Sequence, residues 1–312
     1  MKTKTIAIIG AGFCGSVLAV HLLRTPTSTP VKVLLISRPG AKARGVAYGT
    51  RASSHVLNVP AGRMSALTDN DDSFYEYAKR LYPDVTPASF VQRQLYGDYL
   101  EALLNDASHN AAHDNELCNV TGEVLEVVPN TESDGARVLM KNGDHFDVET
   151  VVLSIGSCAR QRPSTTAESQ TFYEDPRYIH DPWQAESLAR IEKNSPVFLI
   201  GSGLTMLDVV LDLRDRGHQG MIHAVSRRGL SPQPHRVLSS HPQYDGQLSQ
   251  HMLEHCTIRH YLREVRNAIK LQALEGGDWR DVIGGLRSTT SQLWHALPIP
   301  CLLYTSPSPR DG

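Results

Sequence analysis

Two glycine-rich stretches carry the clearest chemistry in this sequence. The first, Gly10-Ala11-Gly12-Phe13-Cys14-Gly15, has the G-x-G-x-x-G spacing. The second, Gly201-Ser202-Gly203-Leu204-Thr205-Met206, repeats the first two glycines and carries Met206 where the third would stand. In such a turn the first glycine permits a sharp reversal and the second lets a diphosphate approach the main chain. The third lets the following helix pack closely on the preceding strand. The amides and partial positive charge of the helix N-terminus then face the phosphates. The chemistry expected at both places is the gripping of a dinucleotide.

The residues that end the next strand distinguish the two sites. Ser226-Arg227-Arg228 offers two guanidinium groups and no acid, the fixed charge and paired donors that a 2′-phosphate needs. NADP(H) is therefore expected at the second site, with Gly201, Gly203, Thr205, Ser226, Arg227 and Arg228 as its contacts. At the first site Ser37 and Arg38 occupy the place of the acidic residue that usually holds the adenosine ribose. Spacing alone leaves that site open between FAD and NADP.

The elements around these turns give them their context. Ile6-Ala7-Ile8-Ile9 reads as a buried parallel strand, and Phe13, Val17, Val20, Leu18 and Leu22 recur at helical spacing up to Thr25-Pro26. Val31 to Ile36 is a second strand. Helices are expected over Asp72–Tyr82 and Phe90–Leu104, with Arg93 and Tyr96 of the latter as weak cofactor candidates. The stretch from Asn119 to Val148, including Val120, reads as a small antiparallel meander with Lys141-Asn142-Gly143-Asp144 as a hairpin turn. Val151 to Ile155 is another buried strand, and the Gly156 that ends it is expected to touch cofactor. Strand, glycine turn, helix and strand then recur from Pro196 to Val225, and Gln247 to Leu297 is mostly helical.

Composition narrows the classes. The chain has 312 residues, 21% of them charged, and a net charge of −2, so no basic stripe and no nucleic-acid partner are expected. Its five cysteines include no C-x-x-C pair, which argues against a dithiol redox centre. No apolar run is long enough to span a bilayer, and the apolar stretch after Met1-Lys2-Thr3-Lys4 holds the glycine turn rather than a signal sequence. A soluble, cytoplasmic protein without a membrane partner is expected. His251-Met252-Leu253-Glu254-His255 matches an inverted zinc-protease string. With 14 histidines in the chain and no third ligand, no metal site is assigned.

The fold class that follows is α/β: two Rossmann-like dinucleotide units, a small antiparallel meander and a helical C-terminal segment. The expected organisation is a first unit over 1–160, a linker or lid over 161–194, a second unit over 195–240 and an incomplete helical segment over 241–300. Residues 301–312 resemble a translated sequencing adapter, so natural sequence is expected to stop near Pro300.

Taken together, Gly10 to Gly15, Gly45-Val46-Ala47-Tyr48, Leu57-Asn58-Val59-Pro60 and Tyr96-Gly97-Asp98-Tyr99-Leu100 make the chain similar to a family of bacterial FAD/NAD(P)-binding flavoproteins. Gly201 to Asp208, Ser226 to Leu230 with Pro232 and His235, and Asp278-Trp279-Arg280 through Leu293-Trp294 extend the resemblance over nearly all of the expected natural sequence. Some members are labelled FAD-dependent urate hydroxylases. The resemblance implies FAD at the first site, with Gly10, Gly12, Gly15, Ser37, Arg38, Tyr48, Asn58 and Gly156 around it, and NAD(P)H at the second. It also implies an oxidoreductase, a monooxygenase or hydroxylase among the options, acting on a small molecule or on oxygen. Tyr48, Asn58 and His235 are acid–base candidates by position only, and no catalytic residue is assigned. Relatives continue past this point, so a fragment lacking their closing element would bind FAD poorly and be inactive. The alternative is a nucleotide-sensing or partner-binding flavoprotein without turnover.

Overall fold

The computed structural model describes residues 3–40, 42–131, 134–156, 167–184, 186–234 and 247–305. Contacts divide the chain into two compact units, Met1–Pro234 and His235–Gly312.

The first unit begins with strand β1 (Lys4–Ile9), helix α1 (Phe13–Arg24) and strand β2 (Val31–Ser37). A short helix α2 (Gly45–Tyr48) and helices α3 (Ser73–Leu81) and α4 (Arg93–His109) follow, then strand β3 (Glu116–Thr121). Strands β4 (Val124–Pro129), β5 (Ala136–Met140) and β6 (His145–Val148) form an antiparallel sheet, and β7 (Thr150–Leu153) returns to the parallel one. That sheet has the order β3-β2-β1-β7. After α5 (Ala167–Glu174) come β8 (Val197–Ile200), α6 (Leu204–Asp215) and β9 (Ile222–Val225), a second parallel pair.

Burial on both faces explains the near-continuous apolar strands. Ile8, Val33 and Leu35 point into a core with Ala19, Val20 and Leu23 of α1 and Leu100 and Leu104 of α4. Ala7, Leu34 and Ile36 point the other way, onto Val138, Met140 and Val148 of the meander. Two expectations change here. Val120 belongs to β3, paired in parallel with β2, and not to the meander. Its alternating pattern resembles that of an antiparallel strand because β3 is the sheet's edge. The buried face of α1 is Gly15, Ser16, Ala19, Val20 and Leu23, with Phe13 37% exposed. Next to the glycine turn the buried residues are small (Gly15, Ser16, Ala19) because the helix there lies close to the strand, and Val20 and Leu23 follow further along. The hairpin at Lys141–Asp144 forms, with Gly143 at φ +92°.

Around Tyr96, which is 1% exposed, the rings of Tyr48, Phe74 and Tyr99 lie 4.7, 4.8 and 5.5 Å away. Tyr96 thus packs in the core. Arg44 fastens the α2 loop to α4 through a fork on Glu101 at 2.8 and 2.9 Å and a bond to Asp98. A Cβ at Gly97 would lie 2.8 Å from both the Arg44 Nη1 and the Tyr48 carbonyl. Gly97 therefore sits where α2 crosses α4.

The second unit is helical: α7 (Gln247–Glu254), α8 (Ile258–Leu274), α9 (Trp279–Gly285), α10 (Thr290–His295) and α11 (Ile299–Thr305). The side chain of Thr257 caps α8, and a reciprocal Asp278/Asp281 capping box starts α9. Leu248, Met252, Tyr261, Val282 and Leu293 form its core. Trp279 and Trp294 are each 49% exposed, and Trp279 lies against the guanidinium of Arg280. No described helix is long and apolar enough to cross a membrane.

Candidate functional site

The two glycine turns have the same local construction. Gly10 leaves β1 at φ +105° and its N–H donates to the Ile36 carbonyl at the end of β2, 2.9 Å away. Gly201 leaves β8 at φ +115° and donates to the Val225 carbonyl at the end of β9, 2.7 Å away. A residue with a side chain is strained at such positive φ, so both positions call for glycine. The N-cap residues match as well: Gly12 at φ −78°, ψ −163° and Gly203 at φ −83°, ψ −169°, neither helix having a side-chain cap or an acid in its first turn. In α1 the first backbone bond runs from Ser16 N–H to the Gly12 carbonyl, so the amides ahead of it have no helical acceptor and face outward.

The space at each glycine separates packing from binding. A Cβ on Gly10 would lie 2.2 Å from the Ser154 carbonyl of the neighbouring strand end, and one on Gly15 would lie 1.9 Å from the Gly10 carbonyl. These two glycines are required by the protein's own packing. A Cβ on Gly12 would meet only the Gly45 Cα, at 3.8 Å, and one on Gly203 would meet nothing within 4 Å. The open space beside Gly12 and Gly203 leaves room for a diphosphate, so the residues present fit such a group at both turns. At the second turn Met206 takes the place of Gly15 and its N–H bonds to the Gly203 carbonyl at 3.0 Å.

The strand ends now differ in charge. Ser37 accepts from Gly122 N–H at 2.9 Å, and Arg38 pairs with Glu123 at 2.9 Å. Glu123 also receives Lys141 at 3.2 Å, and these cations hold its carboxyl below the usual range. An acid therefore stands beside the end of β2, contributed from just beyond β3. The corner thus holds one carboxylate between two cations, Arg38 and Lys141. Glu123 carries no sequence signal, because its place is fixed by the pairing of β2 with β3. At the second site Arg227 and Arg228 are exposed and have no ion-pair partner among the described residues. The Ser202 hydroxyl donates to the Leu230 carbonyl, which fastens the arginine turn across the glycine turn. Thr205 is exposed in the first turn of α6 and Ser226 is half-buried at the strand end.

The remaining candidates fall around the first turn. Gly156 follows β7 at φ +72° with open space where a Cβ would be. Tyr48 belongs to α2, whose Gly45 adjoins Gly12, and burial pushes its phenol upward. Asn58 is exposed on the loop after Leu57. His235 lies outside the described residues. The zinc-like string is split by structure: α7 ends at Glu254, and His255 stacks edge-on with His260 at 5.2 Å. Among the described residues no group of three metal-ligating side chains occurs. One charge asymmetry was hidden by the near-neutral total. Arg259, Arg263, Arg266 and Lys270 share a face of α8 and line a cavity of about 850 Å³.

Three residues whose meeting no spacing foretold come together within the first unit. An antiparallel contact between Val56 and Gln92 sets His55 beside Arg93, whose N–H bonds to the His55 carbonyl at 2.9 Å. Both side chains reach Asp208 of α6. Arg93 forks onto its carboxylate at 2.8 and 3.2 Å and holds the Val56 carbonyl at 2.9 Å. His55 Nε2 lies 3.0 Å from the Asp208 carbonyl, which can only accept, so Nε2–H donates there, and Nδ1 lies 2.7 Å from the Thr50 hydroxyl. His55 is 2% and Asp208 8% exposed. Trp183 packs edge-on against His55, ring centres 5.6 Å apart.

Residues 7–158 match the FAD-NAD(P)-binding family. No curated protein matches the sequence. Among solved structures, cyclohexanone monooxygenase in a closed form is 16% identical with a TM-score of 0.49, over 72% of this chain and 39% of that one. A cyclohexanone monooxygenase mutant from Rhodococcus sp. Phi1 bound to NADP+ is 18% identical, TM-score 0.47, over 73% and 39%. The bacillithiol disulfide reductase of Staphylococcus aureus is 15% identical, TM-score 0.47, over 75% and 60%. The chain thus spans 39% of the length of the two monooxygenase chains.

Proposed function

Because residues 7–158 match the FAD-NAD(P)-binding family, we propose that the chain is a flavin oxidoreductase that takes its electrons from NADPH. One observation carries this reading: the second glycine turn reproduces the first in φ, N-cap geometry and strand-end hydrogen bond. In this reading the α1 turn holds FAD, with Gly12 open to its diphosphate and Glu123 near its ribose. The α6 turn holds NADPH, with Gly203 open to the diphosphate and Arg227 and Arg228 on the 2′-phosphate. When bound, the two groups supply the redox chemistry, a hydride passing from nicotinamide to flavin to leave NADP+ and reduced flavin.

The chain's own residues bind and orient. The α1 and α6 amides hold the diphosphates, and the Arg44 fork on α4 keeps the α2 loop beside Gly12. The aromatic cluster around Tyr96 backs that loop and keeps water from its inner side. The absence of a Cys-x-x-Cys pair favours oxygen or a small molecule as the final acceptor, in the manner of a monooxygenase. The test is to load the purified chain with FAD and add NADPH without oxygen. Loss of the flavin's visible colour, faster with NADPH than with NADH, supports the reading. A yellow protein indifferent to both would refute it.

A further inference from the structure

We infer that His55 and Arg93 grip Asp208 as a bracket that sets how the second dinucleotide turn faces the first. The inference rests on the flavin–nicotinamide reading and assigns these residues a positioning role in it. Asp208 lies five residues past Gly203 along α6, roughly 7–8 Å at the rise of an α-helix. Any rotation of α6 about this point therefore moves the phosphate cradle with it.

The contacts fix orientation as well as distance. Arg93 meets both carboxylate oxygens, so the planar fork defines an angle. His55 meets the main chain of the same residue, and the fork is itself held by the Val56 carbonyl. Both gripping residues sit on a single antiparallel contact that leads directly into α4. The bracket is thus rigid on the first-turn side and rigid on the helix it holds. Apolar packing of similar volume would hold two elements together as strongly as a buried ion pair does, but it would not define the angle between them. Transfer between two bound cofactors depends on that angle: a misplacement of about 1 Å costs about 100-fold in rate.

Asp208→Asn keeps the volume and the main-chain bond and removes the charge. In the FAD-loaded protein it should slow bleaching by NADPH about 100-fold while the dissociation constants for FAD and NADPH change only a few-fold. Arg93→Lys, which keeps charge and loses the fork, should fall between wild type and Asp208→Asn, and it carries the test should Asp208→Asn fail to fold. A bleaching rate equal to wild type overturns the bracket. So does a loss of NADPH affinity that accounts for the whole loss of rate, since Asp208 would then only support the binding site. A second readout needs no cofactor. With Trp279 and Trp294 replaced by Phe, the emission of Trp183 reports on its contact with His55 and should shift in Asp208→Asn. Should wild type hold FAD and never bleach, the oxidoreductase reading falls. The emission then decides the bracket alone, a shift supporting it and an unchanged spectrum overturning it.

Discussion

Gly12→Ala and Gly15→Ala, three residues apart, should fail in opposite ways. At Gly15 the new methyl would sit 1.9 Å from the Gly10 carbonyl and 3.1 Å from Ile8 Cγ2. The first obstacle is backbone and cannot rotate aside, so α1 must move outward. Overpacking of this kind costs about 1–3 kcal/mol, and a backbone obstacle puts it at the upper end. A loss of about 3 kcal/mol lowers the melting temperature by roughly 6–12 °C in a domain of this size. At Gly12 the methyl meets only the Gly45 Cα at 3.8 Å, an ordinary contact. Alanine is worse than glycine at an N-cap by about 0.5–1 kcal/mol. It also restricts the unfolded chain, which returns about 0.4–1 kcal/mol. The two nearly cancel, and the cofactor-free Gly12→Ala protein should melt close to wild type.

Binding reverses the order of harm. The Gly12 methyl fills the space a diphosphate needs and removes about two amide bonds to an anion, each worth about 1.5–3 kcal/mol. FAD affinity should fall about 10²–10⁴-fold. Melting of the cofactor-free proteins and titration of FAD by quenching of its fluorescence read the two effects separately. A Gly12→Ala protein that binds FAD like wild type would refute the assignment of the open side of this turn. A Gly15→Ala protein as stable as wild type would refute the packing argument.

Two further outcomes follow from charge. Replacing Arg227 and Arg228 together by Gln should raise the NADPH dissociation constant about 10–100-fold and leave that of NADH nearly unchanged, which titration with the two nucleotides measures. In the C-terminal unit the Tyr261 hydroxyl donates to the Leu293 carbonyl, and burial, helped by Cys256, pushes its pKa from 10.0 up to about 12. The folded state therefore keeps a proton that the unfolded state loses, so stability is full below pH 10.0 and falls towards about 12. Urea unfolding of Tyr261→Phe should lack that decline, and an identical pH dependence in both proteins would count against the buried phenol.

Local signals were legible in the sequence, and partnerships between distant segments were not. The G-x-G-x-x-G turn, the two βαβ repeats and the hairpin at Gly143 follow from spacing and from φ demands that a few neighbouring residues impose. Val120 was misread because an edge strand in a parallel sheet has one poorly covered face and alternates like an antiparallel one. Glu123 was invisible because its place beside Arg38 is set by the pairing of β2 with β3, a long way apart in sequence. The same holds for Asp208, an acid on a helix like many others until the contact of Val56 with Gln92 aims His55 and Arg93 at it. Net charge concealed the basic face of α8 because the acids that balance it lie elsewhere in the chain.

The central claim is that one chain grips two different dinucleotides at two turns of the same design. Calorimetric titration of the purified protein, first with FAD and then with NADPH on the FAD-saturated form, tests it most directly. The account predicts one FAD and one NADPH per chain, with the second binding undiminished by the first. Displacement of FAD by NADPH, or a total of a single nucleotide per chain, would contradict it.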